Sequence, residues 1–148
     1  PRKVQNVEVL DLDGKPVKLP YFGEKNLMIF YVDPDRHKQN EDFTIELEQN
    51  HRAESDNIHG FGVMNLKDAP MVPNGMARNM AKKRTAKNGA TVLADQNRIL
   101  STAWALGDCN NQFVLMIVSK EGELVFLRKG ELSDADKEAF YETIEKYK

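Results

Sequence analysis

A single cysteine, Cys109, in 148 residues removes several chemistries at once. The chain holds no internal disulfide, no dithiol pair for electron shuttling and no cysteine cluster for zinc. A surplus of one charge sign is also missing: 21 basic against 23 acidic side chains leave a formal net charge of −2. No global field therefore draws the chain to nucleic acid or an anionic membrane, and neither is an expected partner. No apolar run approaches the roughly 18 to 20 residues that cross a bilayer. The three histidines, His37, His51 and His59, lack metal-ligand spacing. Even on one helix, His37 and His51 would lie about 20 Å apart by helix rise. Neither a metal nor a cofactor is expected. The chain opens at Pro1 without methionine, which suits a removed leader, so its start is no argument for cytoplasmic residence.

What is present suits one soluble domain over residues 1–148: 41% apolar and 30% charged residues are enough for an ordinary core. VEVLDLDGKPVKL (7–19) reads as a hairpin turning at Asp13-Gly14, within an N-terminal extension over 1–20. Asp11 and Asp13 are then turn residues, since Lys15, Pro16 and Val17 follow where a calcium loop needs oxygen ligands. A buried strand is expected at 27–33, a helix over 37–51 with Phe43 and Leu47 inward, and a second strand at 58–66. DAPMVPNG (68–75) is a loop by its prolines, and MARNMAKKRTAK a helix with Met76 and Met80 inward. TVLAD (91–95) is a strand, and ILSTAWAL (99–106) one or two helical turns burying Leu100 and Trp104. FVLMIV (113–118) and LVFLRKG form a hairpin, and Ser133 with Asp136 makes a capping box for a final helix carrying Phe140, Ile144 and Tyr147. Such alternation predicts an α/β architecture: a central mixed sheet with helices on both faces.

This order, closing with a hairpin and a terminal helix, resembles a thioredoxin-like fold of the peroxiredoxin and TlpA type, a three-layer sandwich. The resemblance implies working cysteines just after the first core strand, where the next helix's N-terminus lowers a thiol's pKa. Here that position reads Asp33, Pro34, Asp35, Arg36, and the cis-proline place before FVLMIV reads Asn110, Asn111, Gln112. Both halves of the dithiol site are absent by this reading. VPNGMARNM, ATVLADQNRILSTAWAL and IVSKEGELVFLRKGELSD are similar to the YtfJ family of exported bacterial proteins, with the Trp104 and Leu106 pair and the turn at Lys120 to Gly122 as the most specific details. That resemblance implies a secretory leader and periplasmic residence, and it supplies no catalytic residue.

Asp33-Pro34-Asp35 after an apolar strand also matches the opening of haloacid-dehalogenase-type phosphatases, whose first aspartate attacks phosphorus while the second acts as acid and base. The lysine, hydroxyl and second carboxylate set that hold magnesium and phosphate have no counterpart: Arg36 and His37 follow, and GDCNNQ offers Asp108 alone. Asp33 or Asp35 accepting hydrogen bonds from amides at the start of the next helix is the stronger reading. Cys109 would sit in the loop facing the first strand's end, near Arg36 or His37, where a cation stabilises a thiolate. A lone cysteine is more often a small packing residue.

Two functions follow. The first is a redox-inactive binding or interaction module, not an enzyme, whose former active-site face of Asp33, Asp35, Arg36, His37, Asn110, Asn111 and Gln112 recognises a protein or small ligand. The second is a single-cysteine thiol oxidoreductase or peroxidase using Cys109. Acidic residues crowd one helix (Glu41, Asp42, Glu46, Glu48, Glu54, Asp56) and basic residues another (Arg78, Lys82, Lys83, Arg84, Lys87), which suits an anionic partner on the basic helix and equally self-association.

Overall fold

The computed structural model describes residues 2–36, 38–66, 74–88 and 91–148. Most of the loop expected over 68–75, and His37, lie outside the described residues. Eight strands form one mixed sheet: β1 (Arg2–Lys3), β2 (Glu8–Leu10), β3 (Pro16–Lys18), β4 (Asn26–Val32), β5 (Ile58–Asn65), β6 (Val92–Asp95), β7 (Phe113–Val118) and β8 (Glu123–Lys129). Their order is β1-β8-β7-β4-β5-β6-β2-β3. The strands β4, β5 and β6 run parallel, while β7 lies antiparallel to β4.

Strand period explains the layers. In β4, Leu27, Ile29 and Tyr31 are fully buried on one face, and Met28, Phe30 and Val32 are half-buried on the other. Against the second face pack α1 (Glu41–Asn50) and α4 (Asp134–Tyr147), through Phe43, Leu47, Phe140 and Ile144. Phe43 and Phe140 meet edge to face at 5.4 Å between ring centroids. Against the first face, α3 (Ile99–Ala103) brings Leu100, with Trp104 just beyond its end. The Trp104 indole N–H donates to the Gln5 carbonyl at 2.7 Å. All six β7 residues are buried because both layers cover them.

The turns follow local chemistry. Asp11 Oδ1 accepts from the amides of Asp13 and Lys15, and Gly14 takes the left-handed conformation that closes the β2–β3 hairpin. The Ser133–Asp136 capping box is present in both directions. β2 pairs with β6, so the hairpin joins the central sheet at its edge.

Two expectations need correction. The first helix does not run from 37: a 3₁₀ turn over Pro34–Arg36 comes first, and α1 begins at Glu41. Asn40, left-handed before α1, gives its side chain to Gly130 and Leu132 instead of capping the helix. Arg2 and Lys3 pair with Leu124 and Glu123, a pairing that two charged residues do not advertise. Finally, Met76 and Met80 on α2 (Asn74–Asn88) point outward, exposed at 56% and 57%. α2 is held by polar contacts at the hairpin edge, from Arg78 to Gln96 at 2.8 Å and from Lys82 to Asp13. With only two large apolar side chains, the helix lacks a stripe wide enough to set its rotation.

Candidate functional site

Three parallel strands end side by side on a buried polar residue. Asn65 and Asp95 are in register at the ends of β5 and β6, and Asp33 directly follows β4, whose last residue Val32 is aligned with Met64. All three are fully buried. Buried polar groups persist only where their hydrogen bonds are made.

Asp33 meets that condition with backbone. Its Oδ1 accepts from the Asp35 amide and its Oδ2 from the Asn111 amide, each at 2.9 Å. Its own amide donates to the Gln112 carbonyl at 3.1 Å. The sequence-based expectation of a carboxylate satisfying helix-start amides therefore holds, at a 3₁₀ turn. Asp33 also clamps the loop before β7 to the end of β4. A phosphoryl-attacking carboxylate needs an oxygen open to substrate. Both Asp33 oxygens are committed to amides away from solvent, and Asp35 is exposed on the turn.

Beside this clamp, Asp35, Arg36, Lys38 and Gln39 line an open pocket of about 500 Å³. Gln39 is held there because its Oε1 accepts from the Phe113 amide at 3.2 Å. Across from it, the loop is shaped by Asp108, whose Oδ1 accepts from the Asn110 amide at 2.9 Å, and by a left-handed Asn111. Asn110 and Asn111 are exposed and Gln112 half-buried. Of the predicted face residues, Asp35 and Arg36 lie exposed beside the loop 110–112, whereas Asp33 is fully buried and holds that loop instead of lining the face; His37 lies outside the described residues.

Cys109 behaves differently from its neighbours. It is 2% exposed and belongs to the core cluster that includes Trp104 and Leu106. Its Sγ donates to the Gly107 carbonyl at 3.7 Å, and its backbone carbonyl accepts from Asn65 Nδ2 at 3.4 Å. The backbone of Cys109 therefore serves the site while its thiol is buried on the Gly107 carbonyl, close enough to Tyr31 to bear on its phenol.

Asp95 is the site residue that sequence reasoning missed. Its Oδ1 accepts from the amides of Asn97 and Ile99 at 3.2 and 2.9 Å; its Oδ2 accepts from the Leu100 amide and the Tyr31 hydroxyl, both at 2.9 Å. It thereby supplies the amides at the start of α3, where the preceding Arg98 makes no side-chain cap. Burial, followed by the Asp95 charge, pushes the Tyr31 phenol well above the usual tyrosine range, so this hydroxyl stays a donor. The available signal was a pattern: an apolar strand that ends on or near Asp or Asn, repeated at 33, 65 and 95.

The described histidines serve locally. His51 pairs with Glu54, and His59 stacks on Phe61 with a pKa lowered by burial and then by Lys25. Among the described residues, no group of three or more His, Cys, Asp or Glu side chains is placed to hold a metal ion, and no helix is long and apolar enough to cross a membrane.

No family model and no curated protein matches the chain by sequence. Solved structures do match by shape. An exposed lipoprotein thioredoxin from Streptococcus pneumoniae superposes with a TM-score of 0.68 at 19% identity, covering 96% of this chain and 99% of that one. A thiol-disulfide oxidoreductase from Bacteroides fragilis gives 0.63 at 12% identity over 96% and 99% of the two chains. A peroxiredoxin-like protein from Aquifex aeolicus gives 0.65 at 12% identity over 96% and 85%. The chain has a thioredoxin- and peroxiredoxin-like fold, as its element order predicts.

Proposed function

We propose that this chain is a redox-inactive, thioredoxin-like binding or interaction module of the YtfJ type, working in the periplasm. The observation that carries the reading is the inversion at the strand ends. The one thiol, Cys109, is packed inward, while charged and amide side chains face out around an open pocket. Thiol chemistry needs an accessible thiolate, whereas recognition needs a preformed polar concavity on a rigid frame. Asp33 supplies the rigidity; Asp35, Arg36, Lys38, Gln39, Asn110 and Asn111 supply donors and acceptors for a protein or small ligand. His37 belongs to the same face by sequence. An exposed lipoprotein thioredoxin among the structural neighbours supports a location outside the cytoplasm.

A single-cysteine oxidoreductase or peroxidase is the competing reading, and activity separates the two. Insulin-disulfide reduction and hydrogen peroxide consumption by the chain are expected to stay at the buffer background, unchanged by Cys109→Ser. Turnover above background that disappears in Cys109→Ser would replace the binding reading with the enzymatic one.

A further inference from the structure

The sheet face that carries α1 is only partly covered. Between α1 and the β6 edge lies a groove of about 800 Å³, floored by Met28, Phe30, Gly60, Gly62 and Val92 and walled by Thr44, Leu47 and Glu48 of α1. It exists because β5 places two glycines on this face: a Cβ at Gly62 would meet only ordinary contacts, at 3.7 Å from the Phe30 carbonyl and the Val92 side chain. The rim bears Glu48 and Glu54. α1 contributes Glu41, Asp42, Glu46 and Glu48 with no basic residue.

The same molecule carries the complement. On α2, Met76 and Met80 stand one helical turn apart, both more than half exposed. Among the described residues they are the most exposed large hydrophobic side chains. The helix around them holds Arg78, Lys82, Lys83, Arg84 and Lys87 and no acid. Unbranched methionines fit shallow apolar grooves well. Neither methionine lines the groove of its own chain, and Arg78 and Lys82 tie α2 to Gln96 and to Asp13 at the hairpin edge.

We infer that two copies of this chain pair, each laying the Met76–Met80 stripe of its basic α2 into the other's groove beside the acidic α1. Every copy offers one stripe and one groove, and the inferred pair makes both contacts at once, residue for residue, which is a closed two-fold dimer. Opposed charge guides the approach and sets the register, while burial of the methionines provides the attraction.

Analytical ultracentrifugation of the chain across loading concentrations tests the pairing. A reversible dimer is expected. Met80→Glu, at an exposed position, and Gly62→Val, which fills the groove floor, should each weaken dimerisation at least tenfold, about 1.4 kcal/mol, with the far-UV spectrum of the native fold retained. Should Gly62→Val fail to fold, Glu48→Lys on the rim gives the same reading of the groove. A monomer at every concentration overturns the inference. So does a dimer that survives either the stripe or the groove substitution, since the two surfaces would then not meet.

Discussion

Replacing Asp95 with alanine is expected to lower the free energy of unfolding by about 3–5 kcal/mol. That is a large part of the roughly 5–15 kcal/mol typical of a domain. The change leaves the amides of Asn97, Ile99 and Leu100 and the Tyr31 hydroxyl without their acceptor, at a position with no solvent exposure to replace it. It also loosens α3, and with it Leu100 and Trp104, both buried in the core beneath the first sheet face. Urea titration should show the midpoint fall with the slope kept, corresponding to a Tm drop of roughly 6–20 °C. Tyr31→Phe removes one of the four bonds and should cost only about 1–1.5 kcal/mol. Because the phenol and the carboxylate share a bond, the double variant should be less destabilised than the sum of the two singles. A loss below about 1 kcal/mol in Asp95→Ala would contradict its role as the acceptor that organises this strand end.

Asp33→Ala is the second large effect, expected at about 2–4 kcal/mol, because two buried charge-assisted bonds disappear together. Its signature is local as well as global. The Asn111 amide should exchange with solvent faster than in the native chain, since it loses the carboxylate that tethers the loop before β7. Asp33→Asn keeps one carbonyl acceptor and should fall between the native chain and the alanine variant. Asp35 is exposed, and its replacement by alanine should change stability by no more than about 0.5 kcal/mol. Equal costs at 33 and 35 would mean that the clamp is not centred on Asp33.

The strand ends were only partly legible in the chain itself. Periodicity located β4, β5 and β7 within a residue, since Leu27, Ile29 and Tyr31, and every residue of FVLMIV, are buried as their spacing implies. Asp33 was recognisable because a proline and a second aspartate draw attention to it. Asp95 was not, because TVLAD followed by QNR reads as an unremarkable strand exit. Its significance comes from Tyr31, 64 residues earlier in the chain. The start of α1 was hidden for a similar reason: Gln39 and Asn40 serve Phe113, Gly130 and Leu132, long-range partners that no local pattern encodes. α2 failed in the opposite direction. Helical spacing of Met76 and Met80 predicts a core stripe, yet two side chains of adaptable shape do not decide which way a basic helix faces.

Two buried carboxylates thus do framework work at the strand ends of this fold. Asp33 joins β4 to the loop before β7, and Asp95 joins β6 to α3. The pocket of Asp35, Arg36, Lys38 and Gln39 opens at the surface before α1, while the chain's one cysteine, Cys109, is buried. Fold alone assigns no activity, so the state of that sulfur is what separates recognition from catalysis.

The rate of Cys109 alkylation by iodoacetamide, followed across pH on the folded chain and on a denatured control, tests this most directly. Protection throughout, or a folded-state midpoint no lower than the ordinary cysteine value of about 8.5, is the result predicted for a thiol packed in the core. A folded-state midpoint two or more units lower, about 6.5 or below, with faster reaction than the denatured control at neutral pH, would contradict the account and make Cys109 a reactive centre.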